Sequence, residues 1–170
     1  MNMSYQPQVT QVRLCCLIRS LSPVTQLIRK FRNPDNKLVL QAIEELRARG
    51  WLDDGSLRQS ELRCVHLQGA DLCAADLQGV NLRQANLQEA NLSMADLRHA
   101  DLGKANLKWA DLSRANLEGA DLFRANLEGA RNVTEDQLAS VARLNGAILP
   151  DGTLYNEQMD FQKEDSHRIV

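Results

Sequence analysis

The chain has 170 residues and a net charge of −2, with 25% charged and 4% aromatic residues, a size for one domain or for one domain with an appendage. Its four cysteines show no CxxC or Cys/His ligand spacing, which excludes a disulfide framework and a recognisable metal motif and points to free thiols in the cytoplasm. The longest apolar run, Leu14-Cys15-Cys16-Leu17-Ile18, is far below the ~18 residues that cross a bilayer, and no ordered secretory signal precedes or follows it.

Residues 1–50 form a basic head with eight Lys/Arg against three Asp/Glu. The first 34 residues contain five basic residues and no acid, a weakly transit-peptide-like composition on a stretch with clear helical periodicity. Leu14, Leu17, Ile18 and Leu21 make one apolar stripe, and Val24, Leu27, Ile28 and Phe31 a second at the same spacing. Ser22-Pro23 and Asn33-Pro34 are helix-start signals. A third helix is predicted over 38–49, with Leu38, Val39, Ala42, Ile43 and Leu46 on one face and Gly50 as its stop. With Trp51, this third helix is a natural lid for whatever follows. The first two carry more apolar surface than a lid needs. They either pack as a small bundle or lie on an anionic membrane, with Arg13, Arg19, Arg29, Lys30 and Arg32 toward the head groups. Cys15-Cys16 beside those bases would suit reversible acylation, or else be buried structural cysteines.

Residues 51–131 are governed by a leucine at every fifth position from Leu57 through Leu127, fifteen times in succession. The frame is small–Asp/Asn–Leu–x–x, as in Ala70-Asp71-Leu72 and Ala115-Asn116-Leu117. On an α-helix, residues turning about 100° each would scatter such leucines around the axis. On a flat strand an odd period alternates faces. One buried leucine row therefore needs a backbone that turns a corner once per repeat, which is a solenoid. The leucine and the small residue two before it should face inward; Gly55, Ser60, Val65 and Val80 depart from the usual alanine. Four sides per turn would stack residue n on n+20, giving columns such as Leu57–Leu77–Leu97–Leu117 and Leu67–Leu87–Leu107–Leu127. Asn86, Asn106 and Asn126 would form one ladder, and Asp76, Asp96 and Asn116 another. Turn support is the expected role of these Asp/Asn side chains, not catalysis or metal binding.

The run from Gly55 to Ala130 resembles the pentapeptide-repeat family, with its A-(D/N)-L-x-x consensus. The flanks Leu46-Arg47-Ala48-Arg49-Gly50-Trp51-Leu52 and Gly146-Ala147-Ile148-Leu149-Pro150-Asp151-Gly152 are similar to those of cyanobacterial members. The resemblance implies a mainly β fold, a right-handed quadrilateral β-helix with four repeats per coil. To it the sequence adds an α-helical N-terminal region and a short C-terminal capping helix. The family has no shared catalytic residues, so none are carried over. Some members imitate duplex DNA and bind type II topoisomerases through a long, strongly acidic, dimeric coil.

An open solenoid needs caps at both ends. Over 132–154, Thr134-Glu135-Asp136-Gln137 reads as a capping box opening a short helix, with Leu138 and Val141 as its buried face. Leu144, Leu149 and Leu154 again fall five apart, with Ala142, Ala147 and Gly152 in the small position. That segment is expected to fold back in part on the last coil, turning at Pro150-Asp151-Gly152. Residues 155–170 are a polar tail expected to be mobile.

Nothing in these features identifies an activity. His66, His99 and His167 are the only histidines, and no phosphate loop or nucleophile motif is present. No enzyme, cofactor, metal or small-molecule substrate is expected. Nucleic-acid binding is disfavoured, since Tyr5 and Phe31 are the only aromatics before Trp51. DNA mimicry is disfavoured too: residues 55–130 hold ten acids against eight bases, and Glu61, Asp101 and Asp121 lie beside Arg63, Arg83, Lys104 and Arg124. The expected function is a non-enzymatic interaction scaffold for an unidentified protein partner. Met94, Trp109 and Phe123, at outward positions, are candidate anchors or else ordinary surface. The alternative is a membrane-peripheral adaptor docking through residues 1–33. A homodimer through the coil ends or the apolar head is open.

Overall fold

Every leucine from Leu57 to Leu127 points into one continuous core, and none is more than 2% exposed. The structure, a computed structural model, describes residues 22–156. The small residues from Val65 to Ala130 are buried beside the leucines, whereas Gly55 and Ser60 in the first coil are only half-buried. Burying each leucine is worth about 1.5–3 kcal/mol, so the column of leucines is what holds the coil closed.

The corners explain the period of five. The Ala75 amide donates to the Leu72 carbonyl at 3.1 Å, and Ala74, third in that turn, has φ +57°. This is type II turn geometry, which demands a left-handed residue at its third position. The same position is left-handed in Met94, Trp109 and Arg124, with φ of 56° to 58°, at a cost of ~1–2 kcal/mol each for a residue with a Cβ. From Asp71 to Asn126 the Asp/Asn side chain stabilises each corner: the Cys73 amide donates to Asp71 Oδ1 at 3.2 Å, and the Glu128 amide to Asn126 Oδ1 at 3.0 Å.

Successive coils pair in parallel at n+20, from Glu61–Asn81 to Asp111–Arg131. The Leu72 amide donates to the Asn91 carbonyl at 2.8 Å, and the Asn91 amide returns to the Ala70 carbonyl at 2.9 Å. Four repeats therefore complete one coil. The sides are numbered here by their leucines: the first holds Leu57 and Leu77, the second Leu62 and Leu82, the third Leu67 and Leu87, the fourth Leu72 and Leu92. The asparagine ladder forms on the third side, where Asn106 Nδ2 donates to Asn86 Oδ1 at 3.2 Å.

Two helices close the N-terminal end: α1 (Pro23–Lys30) and α2 (Asn36–Ala48). Ser22 caps α1 by accepting from the Thr25 amide at 3.2 Å, and proline follows at the first helical position, where its missing N–H costs nothing. Leu27 and Phe31 from the α1 stripe, and Val39, Ala42, Ile43 and Leu46 from α2, are buried in the same core as the leucines. The backbone edge of the first coil is satisfied by the helices. Arg47 Nη2 donates to the Asp71 carbonyl at 2.9 Å, Asn36 Nδ2 to the Gln68 carbonyl at 3.0 Å, and the His66 amide to the Phe31 carbonyl at 3.4 Å. The first expected helix, around Leu14 to Leu21, lies outside the described residues.

At the other end α3 (Glu135–Ala139) begins with the expected capping box. Its burial differs from expectation: none of its residues is buried, and Leu138 and Val141 are half-buried against the core. A five-residue helix is too short to present a buried face, and its hold on the coil is polar. Gln137 Nε2 donates to the Ala115 carbonyl at 2.8 Å and the Leu112 carbonyl at 2.9 Å. After α3 the coil resumes two residues out of step, pairing Asp121 with Arg143 and Asn126 with Ile148. The chain then reverses at Pro150-Asp151-Gly152, and Leu154 pairs antiparallel with Ile148. Leu154 is 59% exposed, so it lies along the edge and not in the leucine row. Tyr155 is tied to Ala147 by a 2.8 Å amide bond, which carries the ordered cap one residue into the expected tail. Residues 157–170 lie outside the described part.

Candidate interaction surface

With leucine and alanine turned inward, the outer surface of the coil is made by the two corner residues of each repeat together with the partly exposed Asp/Asn position. Met94 stands on the fourth side and is 54% exposed; Trp109 ends the third side and is 47% exposed. Phe123 is half-buried on the second side. The three candidate anchors thus occupy three different sides and do not form a single patch. The cause is the coil's geometry: only positions 20 apart share a side at the same place, and these three are separated by 15, 14 and 29.

Trp109 is held firmly despite its exposure. Its indole lies over Gly129, the equivalent position one coil on, and would collide with any Cβ there. Lys108 Nζ sits 4.9 Å from the ring centroid and pairs with Glu128 at 2.8 Å. His99 lies over Gly119 in the same manner. Phe123 is flanked by the guanidiniums of Arg124 and Arg143, at 5.1 and 4.6 Å from its centroid. None of these pairings was drawn from the sequence. The n+20 rule would have revealed the two glycines, but the Arg143 contact depends on the two-residue slip at α3.

The carboxylates on the coil are largely engaged. Arg98 grips Asp96 through Nε at 2.9 Å and Nη2 at 2.7 Å, and Gln78 Nε2 adds a 2.7 Å bond. The Arg98 contact is the main reason the Asp96 carboxyl titrates at about 2. Arg58 pairs with Asp76 at 2.7 Å, Arg83 with Asp101 at 3.4 Å and Arg143 with Asp121 at 2.9 Å. Asp111 is held below the ordinary aspartate range, chiefly by the Ser113 hydroxyl. Among the described residues no cluster of His, Cys, Asp and Glu could hold a metal ion. Cys64 is exposed and Cys73 half-buried, both as free thiols; Cys15 and Cys16 lie outside the described residues.

Of the basic head, Arg29, Lys30 and Arg32 are exposed, and Lys30 approaches Glu45 at 3.7 Å. Arg13 and Arg19 lie outside the described residues. A groove of about 510 Å³ runs between α1 and the first coil, with Val24 and Ile28 on one wall and Arg58 and Ser60 on the other. No described helix is long and apolar enough to cross a membrane.

A family model, pentapeptide repeats, matches eight copies across residues 51–79, 66–103 and 100–131. The chain belongs to the pentapeptide repeat family. It is similar to HetL, a pentapeptide repeat protein involved in heterocyst differentiation regulation from Nostoc sp. strain PCC 7120, at 39% identity and a TM-score of 0.52. That match covers 58% of this chain and 48% of HetL, so this pentapeptide repeat protein spans about half of HetL's length. A thylakoid-lumen pentapeptide repeat protein of Arabidopsis thaliana, AT2G44920, is 29% identical with a TM-score of 0.51, covering 64% of this chain and 74% of that one. No curated protein matches the chain.

Proposed function

We propose that this pentapeptide repeat protein is a non-enzymatic interaction scaffold. The solenoid displays outward side chains at fixed spacing to another protein, in the cytoplasm. The observation that carries the reading is Trp109: a large aromatic left half in water yet locked in place over Gly129 and beside Lys108. Immobilising a side chain before binding removes an ordering cost of ~0.5–1.5 kcal/mol at the interface, and Trp is a favoured anchor. HetL, a regulatory relative of the same fold, is consistent with a role played through contacts and not through chemistry. Capture of a protein partner by the full chain, weakened at least tenfold by Trp109→Ala with the coil intact by circular dichroism, is the expected result. Equal capture by both chains would remove Trp109 from the interface.

A second reading, membrane-peripheral docking, is favoured by the exposure of Arg29, Lys30 and Arg32 at the end of α1. The apolar stripe of α1 does not support it, because Leu27 and Phe31 are spent on the core. Deleting residues 1–33 is therefore a poor test, since it strips both from the cap. Sedimentation of the full chain and of an Arg29→Gln/Arg32→Gln variant with anionic and neutral vesicles decides it. Binding to anionic vesicles alone, lost in the variant, would favour the membrane. Imitation of duplex DNA is disfavoured by the ion pairs at Asp76, Asp96, Asp101 and Asp121, which neutralise what would have to be an acidic surface.

A further inference from the structure

The four sides of the coil differ in charge. Between residues 55 and 130 the first, third and fourth sides together hold four Lys/Arg and seven Asp/Glu. The second side, extended to a fifth level by the pairing of Asp121 with Arg143, holds Arg63, Arg83, Lys104, Arg124 and Arg143 against Glu61, Asp101 and Asp121. Continuous pairing puts these residues in one strip: the Cys64 amide bonds the Arg83 carbonyl, the Lys104 amide the Phe123 carbonyl, and the Arg124 amide the Asn145 carbonyl.

Two of the strip's three carboxylates are in ion pairs and the third is hydrogen-bonded to a neutral amide, so five bases against three acids leave the strip a net +2. Asp101 takes Arg83, Asp121 takes Arg143, and Glu61 accepts from Asn81 Nδ2 at 2.8 Å. Arg63, Lys104 and Arg124 are exposed and have no ion pair among the described residues. At about 4.8 Å per level these three unpaired bases span roughly 15 Å, and Phe123 is flanked by the Arg124 and Arg143 guanidiniums at the far end.

We infer that the second side is a docking strip for an acidic segment of a partner protein, its carboxylates on Arg63, Lys104 and Arg124 and an apolar side chain on Phe123. This rests on the scaffold reading and assigns that scaffold a side and a partner chemistry. Complementary charge both steers such a partner and fixes its register. A nucleic acid suits the strip less well. Its phosphates are evenly charged and would fall on Glu61, Asp101 and Asp121 as well as on the cations, and it would find one aromatic ring to stack on. A peptide can space its carboxylates and put neutral groups over the acids.

The test uses the full chain and a short fluorescein-labelled peptide carrying four glutamates and one phenylalanine, read by anisotropy at low salt. Companion probes are the same peptide with glutamine for glutamate and a single-stranded oligonucleotide of matched charge. The strip variant is Arg63→Gln/Lys104→Gln/Arg124→Gln. A control, Lys37→Gln/Arg114→Gln/Arg131→Gln, removes the same charge elsewhere. The acidic peptide should bind at least fivefold more tightly than the neutral one. The strip variant should lose that difference, and the control should keep it. Equal losses in the two variants would mean that net charge alone attracts the peptide, and stronger binding of the oligonucleotide would mean that the strip is a nucleic-acid surface; either overturns the inference. Protein capture by the wild type and the strip variant separates the two levels. A partner held equally by both leaves the scaffold standing and removes the strip, whereas no partner on either removes both.

Discussion

The Trp109 indole occupies the space beside Gly129, one coil ahead of it and at the same corner, so that no Cβ fits at residue 129. Gly69 occupies an equivalent corner with a similar φ, +66° against +70°, and nothing lies within 4 Å of where its Cβ would be. Gly69→Ala should therefore cost only the left-handed backbone term, ~1–2 kcal/mol. Gly129→Ala should cost that and the eviction of the indole besides. In a Trp51→Phe background, Gly129→Ala should also red-shift the tryptophan emission as the ring moves into water. Equal costs at the two glycines and an unshifted spectrum would mean the stacking is not maintained in solution.

Leu107 has no exposed surface and is packed by leucines in the coils on either side. Leu107→Ala should lower stability by about 3–5 kcal/mol in urea unfolding, because a coil braced on both sides cannot collapse into the cavity. Leu154→Ala, at 59% exposure, should change stability by less than ~0.5 kcal/mol.

Gln137 joins three functions in one side chain: it accepts from the Thr134 amide at 2.8 Å to complete the capping box and donates to the carbonyls of Leu112 and Ala115. Gln137→Ala should cost ~1–3 kcal/mol by leaving the Ala115 carbonyl unpaired, since the Leu112 carbonyl keeps the Ala115 amide. Amide exchange should accelerate first in the last coil and in α3, while the first coil keeps its protection. Arg47→Ala, which uncaps the Asp71 carbonyl, should show the reverse gradient.

Asp96 titrates at about 2, held there first by its hydrogen bonds to Arg98, and Asp111 and Asp151 are lowered through hydrogen bonds to Ser113 and Thr153. A carboxylate with a depressed pKa stabilises the fold above its unfolded value of ~3.9 and loses that contribution as pH falls through the folded value. The thermal midpoint should hold from pH 7 to about 5 and decline between about 4 and 2. Solvent screening keeps the effect small. Asp96→Asn should flatten part of the decline, and an identical slope in that variant would discount the Arg98 pair.

The interior of this protein was legible because it repeats. Leu57 to Leu127 and the alanines beside them announce both the core and the corners, and one spacing rule orders every coil. The helical caps were legible at their starts, Ser22-Pro23 and Thr134 to Gln137, because capping chemistry is local. What escaped was everything set by tertiary register. The slip between Asp121 and Arg143 arises from how many residues α3 uses, which no period reports. Phe123 accordingly gained a cationic neighbour that its position did not advertise, and the three proposed anchors turned out to point in different directions. Leu138 and Val141, the expected buried face, are only half-buried, because the grip of α3 is carried by the Gln137 amide.

The reversal at Pro150-Asp151-Gly152 also bears on how molecules meet end to end. A stack of identical parallel coils is in principle extendable: the last rung of one molecule could template the first rung of the next, and a filament would grow. On the third side this protein ends with a rung running the opposite way, Leu154 against Ile148, while Phe31 and Arg47 occupy backbone positions that an incoming rung would need at the other end. Among the described residues, addition of a parallel rung is thus opposed by polarity at one end of the third side and by occupied backbone groups at the other.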